Sequence, residues 1–401
     1  MAIEARSPPS QFIFRLRRAL GGQAGWSGFV FQLLFVAALI WLGAEIIANA
    51  RANLAAQRVS SGFGFLQNNA GFDVSQALIP YSGSDSYVRV FFVGLLNTLV
   101  VAVVGVFFAT ILGFVVALGR LSPNWLLSRI AGGYVELIRN LPLLFQILFW
   151  YRAVLAALPN PRQSYSVFDS FFLSNRGFVI PKPVAAAGLD PFLIAAAIGI
   201  VGALILRRYA RKELFDKGRK IAIWPYVLGL IVGLPLFALL VFGIPFTLEF
   251  PVLRGFNFSG GSRLIPEFVA LVLALSTYTA AFIAEIVRAG IMSVHKVQME
   301  AGASLGLSRG QTLRMIVVPQ AMRVILPPLT NQYLNLTKNS SLAVAIGYPD
   351  LVSVFAGTTL SQTGQAIEII SITMGVYLLI SLITSGIMSF YGWRLDRSMN
   401  R

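Results

Sequence analysis

Long stretches of this chain carry almost no charge, and their length limits what it can fold into. A helix needs about 20 mostly apolar residues to cross a hydrocarbon layer of about 30 Å. Windows of that size occur near residues 29–47, 91–118, 132–158, 191–206, 226–246, 264–287, 323–347 and 366–393. The third contains several polar residues, the fourth is short and the seventh is only weakly apolar. The pattern therefore predicts an all-α polytopic integral membrane protein with about eight transmembrane helices. Only 12% of residues are charged and 56% are hydrophobic, whereas a soluble domain carries about 25% charged residues. Too few charges are available to face water everywhere, so membrane lipid must cover much of the surface.

The net charge is +16. The cations sit between apolar runs rather than on a polar face or in a tail, which speaks for membrane orientation and against nucleic acid. With a cytosolic N-terminus, 21 Lys and Arg fall inside and 8 outside. The inside set comprises Arg6, Arg15, Arg17 and Arg18, Arg120 and Arg129, and seven residues of a loop from Arg207 to Lys220. It continues with Arg288, Lys296, Arg309, Arg314 and Arg323, and ends with Arg394, Arg397 and Arg401. That excess predicts an even number of spans with both termini cytosolic. Ala48-Asn49-Ala50 resembles a signal-peptide cleavage site, but the preceding apolar run is too long, so an uncleaved anchor is expected.

This reading divides the chain into a basic tail and first anchor (1–48), an outer loop (49–90) and a membrane domain (91–401). The last contains an inserted helical hairpin (184–246) and a cytosolic loop (291–320). Gly229 and Gly233 form a G-x-x-x-G pattern that permits close helix packing. There is no cysteine and His295 is the single histidine, which leaves neither a catalytic site nor a metal centre to assemble. No G-x-x-x-x-G-K-[ST] stretch occurs, so no P-loop for ATP is present.

The 291–320 loop is patterned. Val297 to Leu305 favours a helix, Gly306 permits the left-handed turn that ends one, and Ser308 with Gln311 can form a capping box for a second. Pro319 marks re-entry towards the membrane. The expected object is a rigid two-helix knob suited to docking on a cytosolic partner.

Here the residues resemble a family. Membrane subunits of ABC importers carry a loop written E-A-A, three residues, G, nine residues, I, one residue, L-P. In this chain Glu300, Ala301, Gly306, Ile316 and Pro319 match, while Gly302 replaces Ala and Val318 replaces Leu. In isolation Gly302 is expected to loosen its helix by roughly 1 kcal/mol. The stretches Tyr134–Gln146, Thr279–Ile291 and Leu336–Gly347 resemble the polar-amino-acid branch, with Asn140-Leu141 where Gly-Thr is usual. The length and the inserted hairpin resemble the general L-amino-acid importers. The resemblance implies a five-helix type I importer core in a bacterial inner membrane. It implies an ATPase dimer that binds and hydrolyses ATP-Mg, a second homologous permease subunit and a periplasmic amino-acid-binding protein. The implied coupling residues are Glu300, Ala301, Gly302, Ser304, Gly306, Leu307 and Pro319, and Gln146 ends a family stretch in the pathway region.

An L-amino acid crossing lipid needs partners for an ammonium and a carboxylate. Charges within spans are costly and tend to face a cavity or a partner. Lys338, with Asn335, Asn339, Ser340 and Ser341 around it, is a candidate either for the substrate carboxylate or for a structural pair. Glu136 with Arg139, and Glu285 with Arg288, are three apart on one helix face each. They can line an inner gate, form structural ion pairs or snorkel to the interface. Thr277 and Thr279 can bond a ligand or their own helix. Pro327 and Pro328 should kink or interrupt the seventh span. The rival reading is an ATP-independent transporter or channel, which would need no docking loop.

Overall fold

The protein is described from a computed structural model, covering residues 26–56, 62–186, 188–219 and 221–399. Arg6, Arg15, Arg17, Arg18, Arg58, Lys220 and Arg401 lie outside the described residues. Helices dominate, and six are long and apolar enough to span a membrane. They are α1 (Trp26–Ala56), α2 (Tyr87–Arg120), α5 (Leu189–Lys217), α6 (Trp224–Phe242), α7 (Pro266–Met292) and α11 (Ala366–Met399).

Two of the eight expected spans are broken. In place of the third stand α3 (Trp125–Asn140) and the short α4 (Leu143–Leu148), which runs into a wide π turn, Phe149–Leu155. Pro142 is the cause. A residue before proline is pushed out of the helical region, and Leu141 is extended, with ψ 131°. In place of the seventh stand α10 (Val318–Asn339) and a 3-10 segment, Ser340–Ile346, ended by left-handed Gly347.

Of the kink or interruption expected at Pro327 and Pro328, the interruption does not occur, and α10 runs continuously through both. Ile325 and Leu329 on either side of the pair are buried, and Ile325 packs directly onto Gly290 of α7. Tertiary packing outweighs the lost backbone bonds. A second correction concerns the basic loop after the fourth span. From Arg207 to Lys217 it is helix, the lower end of α5, closed by left-handed Gly218 with φ 66°.

The core forms where α2 and α7 lie along one another, with Ala109, Ala117, Ala280 and Ala284 fully buried between them. Small residues let helix backbones approach closely in membranes. A Cβ on Gly113 of α2 would fall 2.6 Å from Ile283 of α7. α10 packs against α7 and also touches α2, where Tyr333 bonds Thr110 at 2.8 Å, and α3 and α4 flank α7. Above them, Asn97 of α2 donates to the carbonyls of Gln76 and Pro349 at 2.8 Å each, and the Leu351 amide donates to Thr98 at 3.0 Å. This knot, built on fully buried Asn97 and Thr98, ties α2 to the segment before α11.

The hairpin of α5 and α6 packs through Gly199, which abuts the Leu230 carbonyl, and Gly202 against the Leu230 side chain. The G-x-x-x-G pair Gly229 and Gly233 instead has open space around it and bounds a π turn. The expected outer loop holds a 3-10 turn, Phe63–Gln67. The all-α expectation needs one amendment, because eight short strands flank the hairpin. β1 (Tyr165–Val167), β2 (Phe171–Ser174), β3 (Gly177–Ile180) and β8 (Ser262–Leu264) form an antiparallel sheet in the order β1-β2-β3-β8. β4 (Lys182–Ala185) pairs β5 (Phe246–Glu249), and β6 (Val252–Arg254) pairs β7 (Asn257–Ser259).

Candidate functional site: the elbow, the charge cluster and the Lys338 cavity

The patterned loop forms two helices, α8 (Lys296–Ser304) and α9 (Arg309–Thr312). α8 ends in a Schellman motif. The Leu307 amide donates to the Gly302 carbonyl at 3.1 Å, and the Gly306 amide to Ala303 at 2.9 Å. That geometry places Gly306 at φ 75°, where a side chain is strained and glycine is not. Ser308 then caps α9. Its hydroxyl accepts from the Gln311 amide at 3.3 Å, and the Gln311 side chain accepts from the Ser308 amide at 2.9 Å.

Gly302 is the buried contact of this elbow. A Cβ there would meet Thr312 Cγ2 at 2.5 Å and Oγ1 at 2.7 Å. The glycine is therefore a packing requirement of this chain rather than a mere weakening of α8. Ser304 donates back to the Glu300 carbonyl at 3.0 Å. Glu300, Ala301, Ser304 and Gly306 are exposed, and Val297, Leu305 and Met315 present apolar surface beside them. Pro319 stands in the first turn of α10.

The second group is a charge cluster between α2 and α7. Glu285 accepts from Arg288 at 2.5 Å and pairs with Arg120, the last residue of α2. These side chains are 18–28% exposed. Glu136 and Arg139 do not repeat this arrangement. Both are exposed, they form no ion pair with each other among the described residues, and Arg139 instead lies 5.2 Å over the Phe282 ring.

The third group is a cavity of about 410 Å³. Its walls are Lys338 at the end of α10, Ser341 of the 3-10 segment, Val352, and Thr373, Tyr377 and Ser381 of α11 with their neighbours. The hydroxyls of Ser341, Thr373 and Ser381 donate to backbone carbonyls at 2.7–2.8 Å, which leaves their oxygens as acceptors. Tyr377 also reaches buried Asp350 at 3.5 Å. Sequence reasoning found Lys338 and missed the α11 wall and Arg120. Hydroxyls in a span are ordinary in sequence, and Arg120 reads there as a loop cation.

The remaining candidates do not line this cavity, although Ser340 bonds the Tyr377 side chain beside it. Thr277 donates to the Leu273 carbonyl of its own helix at 2.7 Å, and its carbonyl accepts from Tyr134 at 2.6 Å. Thr279 is buried. The Gln146 amide donates to the Ile138 and Leu141 carbonyls at 2.9 and 3.1 Å, bridging the break between α3 and α4. Asn335 is exposed, Asn339 half-buried and Ser340 buried, with Ser340 bonded to the Thr337 carbonyl at 2.7 Å.

A helical bundle of this kind, with a rigid elbow outside it and an open cavity beside exposed Lys338, defines a multi-pass membrane transport subunit. Residues 221–397 match the family described as binding-protein-dependent transport system inner membrane component. The chain is 52% identical over 366 residues to the putative amino-acid ABC transporter permease YhdX of Escherichia coli, covering 91% of this chain and 93% of that one. It is 49% identical over 366 residues to the general L-amino acid permease AapQ of Rhizobium johnstonii, covering 91% of each chain. A crystal structure of an amino acid ABC transporter with histidines aligns with 77% of this chain and 95% of its own at TM-score 0.46 and 23% identity. The chain belongs to the family of amino-acid ABC transporter permeases. It is the permease subunit of an amino-acid importer, a transport subunit and not an enzyme. Such a subunit works with an ATPase and a binding protein.

Proposed function

We propose that the Lys338 cavity holds the L-amino acid in transit and that the elbow receives the movement driving it. The carrying observation is that an ammonium and several hydroxyl oxygens line one cavity. Lys338 offers donors for a carboxylate, and Ser341, Thr373 and Ser381 offer acceptors for an ammonium. A cavity of this size suits a small molecule, and the pattern complements a zwitterion whatever its side chain. The likeness to AapQ, a general L-amino acid permease, supports a broad substrate range.

In this reading the elbow of α8 and α9 docks on an ATPase dimer that binds and hydrolyses ATP-Mg. The exposed Gly306 turn, with Val297 and Leu305, fills a groove on that partner. Movement of the elbow is passed through Pro319 into α10, which carries Lys338 at its far end. ATP must favour one arrangement of the bundle over the other, since a ligand shifts a population only by its differential affinity. Glu285 with Arg120 and Arg288 closes the end of the bundle nearest the elbow. The working unit is a five-helix type I core paired with a second, homologous permease subunit in a bacterial inner membrane. Both termini are cytosolic, and a periplasmic protein delivers the amino acid.

The test is ATP-driven uptake of a labelled amino acid by the complete importer in proteoliposomes. Lys338→Met should abolish uptake while substrate-independent ATP hydrolysis persists. Unchanged uptake by that variant would remove Lys338 from the pathway.

A further inference from the structure

We infer that the lower end of α5 is a binding site for anionic phospholipid headgroups. α5 has 29 residues, about 43 Å at 1.5 Å each, against a hydrocarbon layer of about 30 Å. Its last turns, from Arg207 onward, therefore leave the apolar layer and run through the headgroup region.

The charges there are sorted by face. Arg207, Arg211 and Phe215 follow one another at intervals of four, and Arg208 lies three before Arg211, so these four side chains share one side of the helix. The same row continues upward through Leu204 and Ile200, both more than half exposed. On the opposite side, Lys217 pairs with Glu213 at 2.9 Å. That side prolongs the face on which Gly199 and Gly202 meet Leu230 of α6. Glu213 thus stands on the hairpin side, Asp216 is exposed in the row of Arg208 and Lys212, and Arg207, Arg208 and Arg211 form no ion pair among the described residues. All three are exposed, as is Phe215.

Like charges spaced three and four apart oppose a helix, so an anion from outside the chain would relieve a standing repulsion. The helix C-terminus does not account for these arginines, because its field fades within the last turn and Arg207 lies ten residues before the end. Orientation in the membrane requires cations on one side of the bilayer, not their segregation onto one helix face. That face continues an exposed apolar surface suited to acyl chains, and guanidinium matches phosphate by paired hydrogen bonds. Phe215, 79% exposed, adds apolar surface beside the three arginines. The occupant is therefore a phospholipid whose headgroup carries net negative charge.

The complete importer would be reconstituted in nanodiscs of mixed phosphatidylcholine and phosphatidylglycerol, then extracted, and the retained lipid quantified by native mass spectrometry. The wild type should enrich phosphatidylglycerol, and the R207Q/R208Q/R211Q variant should lose roughly tenfold of that enrichment, since each cation near an anionic surface contributes severalfold. R207K/R208K/R211K should retain part of it, and Lys217→Gln, on the opposite side, all of it. The wild-type enrichment should also fall in high salt, a readout that needs no variant to fold. Equal enrichment in the glutamine variant, or salt-independent enrichment in the wild type, would overturn the site. Loss of ATPase co-purification with lipid retention unchanged would do the same and assign the face to a protein partner.

Discussion

Gly302 faces Thr312 across the elbow at a separation that leaves no room for a methyl carbon, the closest approach being 2.5 Å to Thr312 Cγ2. The two short helices thus meet through a glycine and a β-branched residue whose χ1 has little freedom. Gly302→Ala should overpack the joint and cost about 1–3 kcal/mol, read as faster amide exchange across residues 296–312 and reduced uptake. Thr312→Ala in the same chain should recover much of the loss. Simple additivity of the two changes would refute the contact.

At Gly306 the constraint is conformational rather than steric, since φ is 75° and nothing lies within 4 Å of a Cβ. Substitutions should rank by tolerance of the left-handed region, with Asn retaining most coupling, Ala less and Val least. Each should insert normally, and ATP-driven uptake should follow that order. An active Gly306→Val variant would show that the turn is not used in coupling.

Glu285 is shared between Arg120 and Arg288. Glu285→Gln leaves two guanidinium groups beside one another without their counter-charge. Removing one partner of a fully buried pair costs about 3–5 kcal/mol, and the partial exposure here reduces the expected loss to about 1–3 kcal/mol. Thermal unfolding of the complex in detergent should show a clear drop for Glu285→Gln and a smaller one for Arg120→Gln, which leaves Arg288 paired. Identical midpoints for wild type and Glu285→Gln would count against a structural role for the cluster.

Asn97 is completely buried and donates to two carbonyls far apart in sequence, Gln76 and Pro349. Asn97→Ala removes both bonds and strands two acceptors, a loss of about 2–4 kcal/mol. Proteolysis within residues 349–365 should accelerate in the variant, because that segment loses its tie to α2. Protection equal to the wild type would mean the knot contributes little.

How far each feature could be read in advance depended on the range of the interactions behind it. α2, α7 and α11 stand out because long apolar runs have few alternatives. The elbow was legible down to Ser308 and Gln311, because caps and left-handed turns are set by residues a few positions apart. Gly302 was legible as an exception to its family pattern, yet its reason, Thr312 on the facing helix, was not. Arg120 and Glu285 are 165 residues apart, and no local signal joins them. The α11 side of the Lys338 cavity stayed hidden likewise, since Tyr377 and Ser381 read in sequence as unremarkable polar positions of a span.

Hydropathy, capping chemistry and the placement of cations determined by themselves that this chain crosses a membrane several times and carries a rigid elbow outside it. Each of those properties is local and survives without knowledge of neighbours. Tertiary structure alone decided that two prolines leave α10 unbroken, that Glu136 and Arg139 part while Glu285 gains a second arginine, and that hydroxyls of α11 share a cavity with Lys338. Those outcomes come from packing and charge pairing between distant segments, whose energies exist only once the helices are brought together.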